Sequence, residues 1–75
     1  MITPKISNRE RHCLSLIANG QTTRKIAEFL NVKPSTVETW RKNIKQKLGC
    51  ATIAQAVFEG VRYGYLSSQS NIDNE

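Results

Sequence analysis

A basic segment in the middle of the chain carries the side chains whose types and spacing most clearly suggest a function. Residues 33–49, KPSTVETWRKNIKQKLG, contain one carboxylate, Glu38, and five cationic side chains. The cations are Lys33, Arg41, Lys42, Lys45 and Lys47. Cations at this density attract anionic partners, and hydroxyls such as those of Ser35 and Thr36 hydrogen-bond phosphate oxygens. The segment therefore predicts binding of an anionic partner.

The composition narrows the class of partner. The chain has 75 residues, with 11 basic and 6 acidic side chains and a net charge of +5. This length predicts one small domain, and the charge favours nucleic acid or an anionic membrane surface, or serves only solubility. No stretch approaches the ~20 apolar residues that span a bilayer, and the N-terminus lacks the apolar run of a signal peptide. We therefore expect no membrane insertion and a cytoplasmic protein.

Catalysis, cofactors and metal binding are not predicted. The chain contains no Ser/His/Asp set and no phosphate-binding loop, so we expect no enzyme and no cofactor. Cys13 and Cys50 form no CxxC motif, and with only His12 nearby they do not have the spacing of a zinc site. Cys13 lies among apolar residues, which predicts a buried free thiol, and a Cys13–Cys50 disulfide remains open.

The elements that position the basic segment are predicted from capping signals and apolar spacing. Ser7 and Glu10 have the spacing of a capping box, with a local ion pair between Arg9 and Glu10. Thr22 or Thr23 caps a second helix that Asn31 closes, and Pro34 suits the first turn of a third. The predicted helices are helix one at about 8–18, helix two at about 23–30, helix three at 34–48, and helix four, which follows a Thr52–Gln55 capping box and stops at Gly64.

Helix three has two faces. Val37, Trp40, Ile44 and Leu48 follow steps of three, four and four residues, which is one helical stripe. The polar and basic residues off that stripe are Glu38, Thr39, Arg41, Lys42, Lys45 and Gln46. A short helix, a tight turn and a longer basic helix form the helix-turn-helix arrangement, in which the second helix enters the DNA major groove. The alternative is a solvated face of a bundle helix.

The order and spacing of four motifs resemble the LuxR/GerE-type helix-turn-helix domain of bacterial transcription regulators. The motifs are IxxRExxxLxLIAxG from Ile6, TxxxIAEFLNV from Thr22, STVxxWxxNIxxKLG from Ser35 and AxxxQAVxxGVRYGYL from Ala51. The resemblance implies an all-α, four-helix fold over residues 1–66, and the polar residues 67–75 are predicted to form a flexible tail. It also implies sequence-specific binding to double-stranded DNA by a transcription regulator or its DNA-binding domain. Region 4 of sigma factors shares the helix-turn-helix, but the motifs of helices one and four argue against it.

The resemblance also implies site residues by position. The base-contacting positions fall on Glu38, Thr39 and Lys42. The phosphate-contacting positions fall on Thr22, Arg24, Ser35, Thr36, Lys45, Lys47 and Thr52, and we add Arg41 from the same basic face. Homodimerisation is expected through helix four, with Val57, Phe58 and Val61 at the interface. RNA polymerase or another regulator is a further expected partner.

Two positions depart from the family pattern and motivate an alternative function. Glu38 and Ile53 stand where the family frequently has basic residues. A chain with weakened DNA contacts would instead act as a small protein-interaction module, which pairs with a full-length regulator of the same family and modulates it. The sequence leaves open whether the chain is complete or part of a larger regulator.

Overall fold

The structure, a computed structural model, describes residues 4–66 as four α-helices packed around one core. The helices are α1 (Asn8–Ala18), α2 (Thr23–Leu30), α3 (Pro34–Leu48) and α4 (Ile53–Arg62). The predicted all-α fold and the bounds of the first three helices are confirmed. The predicted tail at 67–75 lies outside the described residues. None of the helices within 4–66 has the length and apolar character needed to cross a membrane.

Three of the four helices begin at a side-chain cap. Ser7 and Glu10 form the predicted reciprocal box at the start of α1. Thr22, rather than Thr23, caps α2 by accepting the Lys25 N–H, and Thr52 accepts the Gln55 N–H at the start of α4. Lys33 at the start of α3 makes no side-chain cap bond. Pro34 has no N–H and the Thr36 N–H donates to the Lys33 carbonyl at 2.9 Å, so the first turn of α3 leaves the Ser35 N–H without an intrahelical acceptor.

The core is small and draws on every helix. Its largest fully buried side chains are Leu14, Ile26, Ile44, Val37 and Cys13, and Ala56 of α4 is also fully buried. The apolar stripe of α3 is confirmed, since Val37, Ile44 and Leu48 are buried and Trp40 packs against them while remaining half-buried. This packing presses one side of α3 onto α1, α2 and α4, so its opposite side is left for solvent.

The two cysteines are free thiols, as predicted for Cys13. Burial raises the pKa of the Cys13 thiol to about 11, although nearby Arg41 acts in the opposite direction. A thiol with this pKa is protonated at neutral pH and is a poor nucleophile or metal ligand. Cys13 is therefore a small core residue in this fold.

The end of α4 confirms the predicted stop at Gly64. The helix ends at Arg62 with Tyr63 as its cap, and Gly64 follows with a left-handed φ of 86°. The N–H groups of Tyr65 and Leu66 both donate to the Gly60 carbonyl, at 2.7 and 3.1 Å. Gly64 therefore provides the left-handed reversal that ends α4, and Tyr65 and Leu66 fold back onto the core as expected.

The turn between α2 and α3 depends on a left-handed residue. Asn31 has φ 58° and ψ 49°, and the Val32 N–H donates to the Ala27 carbonyl at 2.9 Å. Asparagine tolerates this conformation better than other residues with a Cβ atom, because its short amide can hydrogen-bond locally. Asn31 thus sets the direction in which the chain leaves α2 and begins α3.

Replacing Asn31 tests this backbone constraint. Asn31→Ala should lower the free energy of unfolding by about 1 kcal/mol, since alanine is strained at positive φ. Asn31→Gly should leave it within about 0.5 kcal/mol of wild type, because glycine adopts this conformation freely. Urea unfolding followed by circular dichroism measures both. Equal stability of the two variants would contradict the role assigned to the turn.

Candidate nucleic-acid interface

The outward face of α3 presents the three predicted base-contacting residues together. Glu38, Thr39 and Lys42 are all exposed, and they lie opposite the buried Val37 and Ile44. The spacing places them on neighbouring turns of one helical surface. A ligand that approaches this surface meets one carboxylate, one hydroxyl with its methyl group, and one ammonium.

Thr39 is oriented by the backbone of its own helix. Its hydroxyl donates to the Ser35 carbonyl at 3.1 Å, the bond that threonine commonly forms with the preceding turn. Because the hydroxyl proton is engaged there, the threonine side chain is held in one rotamer. Thr39 is therefore suited to van der Waals contact through its methyl group, as with the C5-methyl of thymine.

Glu38 has a cationic neighbour one turn along the helix. The Arg41 Nε lies 3.9 Å from Glu38 Oε1, and the side chains are 28% and 64% exposed, respectively. The separation is that of an ion pair without a direct hydrogen bond. Arg41 thus lies at the margin of the outward face, whereas the Glu38 carboxylate projects from it.

The predicted phosphate-contacting hydroxyls lie at helix starts. Thr22 and Thr52 each accept a backbone N–H through Oγ1, at 3.2 and 3.1 Å. A hydroxyl that accepts one hydrogen bond keeps its own proton, which it can donate to a phosphate oxygen. Ser35 lies exposed in the first turn of α3 and Thr36 is half-buried there, while Arg24 is exposed on α2 and Lys45 is half-buried on α3.

Lys47 occupies a different position from the other predicted phosphate contacts. Its ammonium donates to both carboxylate oxygens of Glu10, at 2.9 and 3.1 Å. Glu10 also accepts the Ser7 N–H at 2.8 Å and is the one buried charged residue among residues 4–66. The structure therefore pairs Glu10 with Lys47 and not with Arg9, which is exposed, so the predicted local Arg9–Glu10 ion pair is wrong.

The electrostatics of Glu10 follow from these contacts. Burial by itself raises the pKa of the carboxyl, but the hydrogen bond from Ser7 and the Lys47 ammonium outweigh it, so the pKa lies below its ordinary value of 4.5. A lowered folded-state pKa means that the charged form stabilises the fold. That stabilisation is complete above pH 4.5 and is lost as the pH falls through the lower pKa of the folded chain.

The predicted dimer residues form an apolar ridge on α4. Phe58 is 65% exposed, and Val57 and Val61 beside it are half-buried. An exposed phenylalanine flanked by partly covered valines is an unusual arrangement for the surface of so small a domain. Next to the ridge, Arg62 donates to Glu59 at 2.8 Å and stacks over the Tyr63 ring.

A second exposed aromatic was not predicted from the sequence. Phe29 on α2 is 68% exposed and makes an edge-on contact with His12 of α1, with ring centroids 6.1 Å apart. It borders a shallow groove whose other walls include Leu16, Ile26 and Lys25. Phe29 is an apolar residue that lies off the apolar stripe of α2. That position was the signal in the sequence that its side chain would be exposed.

Comparison with known proteins agrees with this geometry. A family model described as "Bacterial regulatory proteins, luxR family" matches residues 4–59. A solved structure, "Structure of Transcription factor, GerE", superposes with a TM-score of 0.81 and 34% sequence identity, over 83% of this chain and 92% of that one.

Two curated relatives are similar over most of this chain. Transcriptional regulatory protein MctR of Rhizobium johnstonii is 40% identical over 62 residues, which are 83% of this chain and 29% of that protein. Probable transcriptional regulatory protein NarL of Mycobacterium tuberculosis is 44% identical over 61 residues, which are 81% of this chain and 28% of that protein. The chain thus spans less than a third of the length of either relative.

Removing the Lys47 charge tests whether its pairing with Glu10 stabilises the fold. Lys47→Met keeps the apolar stem but leaves the buried Glu10 carboxylate without its ammonium. We expect the free energy of unfolding at pH 7 to fall by about 1–2 kcal/mol, a range that allows for the partial exposure of Lys47. The difference from wild type should narrow in acid, as Glu10 becomes protonated.

The matched control is Lys45→Met, which should change the free energy of unfolding by no more than about 0.5 kcal/mol. Thermal and urea unfolding between pH 3 and 7 measure both variants. Equal stability of the two variants at pH 7 would show that the Glu10–Lys47 pair does not stabilise the fold.

Proposed function

Because the chain belongs to the luxR family of bacterial regulatory proteins, we propose that it binds a two-fold DNA site as a dimer, with α3 in the major groove. The family consists of DNA-binding transcription regulators and is not enzymatic. The likeness to the GerE transcription factor over nearly all of that chain is the observation that carries the proposal. Recognition of a particular sequence, groove placement and dimerisation are the parts proposed for this chain.

The shape and exposure of α3 support placement in the major groove. The helix has 15 residues and is therefore about 22 Å long. The groove is about 12 Å wide and admits one α-helix. Because its apolar stripe is covered by the other helices, α3 presents Glu38, Thr39 and Lys42 outward, and we assign base contacts to these three.

The charge distribution supports phosphate contacts around that helix. We assign phosphate contacts to the helix-start hydroxyls and to exposed or half-exposed cations on either side of α3. They are Thr22, Arg24, Ser35, Thr36, Lys45 and Thr52. Each neutralised phosphate releases counterions, so binding should weaken steeply with salt. Two predicted phosphate contacts are not among these residues. Glu10 already binds the ammonium of Lys47, which we assign to the fold. Arg41 is 28% exposed and lies beside the Glu38 carboxylate, so we assign it to that pair.

The apolar ridge of Val57, Phe58 and Val61 supports a dimer formed through α4. A pair of ridges would remove from water the largest apolar side chain of α4, which the folded monomer leaves 65% exposed. Burial of a phenylalanine contributes about 1.5–3 kcal/mol. A two-fold dimer of this kind would bind half-sites about one DNA turn apart.

The domain bounds, the cellular location and the protein partners are also proposed from family membership. We place the DNA-binding domain at residues 1–66, followed by the polar segment 67–75. A transcription regulator acts in the cytoplasm, on the nucleoid, and contacts RNA polymerase or another regulator there.

Selection from a random DNA pool with the purified chain tests the proposal directly. The pool should yield one enriched sequence with two inverted half-sites. Lys42→Ala should reduce affinity for that sequence by about tenfold or more, because Lys42 is assigned to a base. Failure to bind any DNA at low salt would contradict the proposal.

Lys45→Ala provides a contrasting variant. As a phosphate contact, Lys45 should contribute to binding of all sequences, so the variant should bind selected and random DNA more weakly by a similar factor. The slope of log affinity against log salt should decrease in magnitude by about 1. Loss of sequence preference in this variant would show that Lys45 contacts a base.

The dimer can be tested with two equally exposed phenylalanines. Phe58→Asp should shift sedimentation from dimer towards monomer and weaken binding to the two-half-site DNA. Phe29 is 68% exposed but lies on α2, outside the assigned interface, so Phe29→Asp should leave the oligomeric state unchanged. Dimerisation lost in Phe29→Asp and kept in Phe58→Asp would overturn the assigned interface. A monomeric wild type that captures a full-length family member through Phe58 would favour the alternative interaction module.

A further inference from the structure

The Glu38–Arg41 pair presents an electrostatic problem that the proposed function does not resolve. Glu38 is 64% exposed on the face assigned to the groove, where phosphates line both walls. A carboxylate there is repelled by those phosphates and loses water on binding. An unassisted carboxylate would therefore oppose the complex with every sequence.

Arg41 is positioned to offset that cost. Its Nε lies 3.9 Å from Glu38 Oε1, and the i, i+3 spacing keeps the two side chains on neighbouring turns. In water such an exposed pair contributes little. Exclusion of water by DNA strengthens the attraction, because the dielectric screening falls. The pair therefore becomes important in the bound state, where the carboxylate needs a counter-charge.

The location of Arg41 favours this role over a free phosphate contact. Arg41 is only 28% exposed, and its positive charge acts on the pKa of the Cys13 thiol in the core. Arg41 is thus half-buried, whereas Lys42 and Gln46 are exposed on the outward face. Its partial burial and its pairing with Glu38 leave Arg41 less able than those side chains to reach the DNA backbone.

We infer that Arg41 is a positioning residue, which holds the Glu38 carboxylate in the groove as an acceptor for the N4 amino group of cytosine. A carboxylate accepts hydrogen bonds and donates none, so in the major groove it favours cytosine N4 or adenine N6 over the bare acceptors of guanine. Adenine presents N7 beside its amino group, and that lone pair repels a carboxylate. The pair therefore specifies a C·G base pair in each half-site.

This inference rests on the proposed function, and a double-mutant cycle in DNA binding tests it separately. Selection with wild-type protein and with Glu38→Ala identifies the base pair whose preference depends on Glu38. Affinities are then measured for the selected site and for the same site with that base pair changed. The proteins are wild type, Glu38→Ala, Arg41→Met, the double variant and Lys45→Ala.

Arg41→Met should lower discrimination at the Glu38-dependent base pair by about fivefold or more, although the arginine makes no base contact. The double variant should discriminate no worse than Glu38→Ala, because both substitutions remove the same interaction. Arg41→Lys, which restores a cation, should recover part of the discrimination. Lys45→Ala should weaken both sites equally and leave discrimination unchanged.

Methionine keeps the length and apolar stem of arginine, and thermal unfolding of each variant identifies any loss of affinity caused by unfolding. If Arg41→Met weakens both sites equally and keeps the base preference, Arg41 is a phosphate contact and the inference is overturned. The inference is also overturned if Glu38→Ala changes no base preference or the preferred base is not cytosine. Absence of DNA binding by wild type would instead overturn the proposed function together with this inference.

Discussion

The buried carboxylate of Glu10 is the interaction on which the arrangement of the helices depends. A charged group in the interior must be compensated by hydrogen bonds and an opposite charge, or it destabilises the fold. Glu10 receives the Ser7 N–H at the start of α1 and the Lys47 ammonium from the last turn of α3. These donors come from two helices, so both contacts form only when the last turn of α3 lies beside the first turn of α1. The orientation of α3 in turn determines which of its residues face solvent.

The small core explains why so much apolar surface remains outside it. Nine apolar residues form the buried cluster within residues 4–66, and two phenylalanines remain exposed. A domain of this size buries only part of its apolar side chains, because its surface is large relative to its volume. Phe58 lies on α4 beside the half-buried Val57 and Val61, and Phe29 lies on α2 at a groove that Leu16 and Ile26 also line.

The positive and negative charges on the outward face of α3 would have different effects on DNA binding. Lysine side chains there attract any nucleic acid, since each interacts with phosphate regardless of the bases. A single carboxylate among them lowers the affinity for DNA of any sequence. It contributes to binding only where a base presents a hydrogen-bond donor to it. In the proposed complex, Arg41 offsets part of that cost. A basic helix with one acidic residue would then have weaker non-specific binding and a dependence on one particular base pair.

The sequence by itself determined the helices and their faces. Capping residues, Pro34 and the stripe through Val37, Ile44 and Leu48 act over a few residues, so their consequences were predictable without the fold. The four motifs also predicted the family, and comparison with known proteins confirmed it. Only the tertiary structure decided that Glu10 pairs with Lys47, 37 residues away in the chain, and that Phe29 remains exposed beside His12. Local spacing contains no information on such contacts, because they depend on how the helices pack against one another.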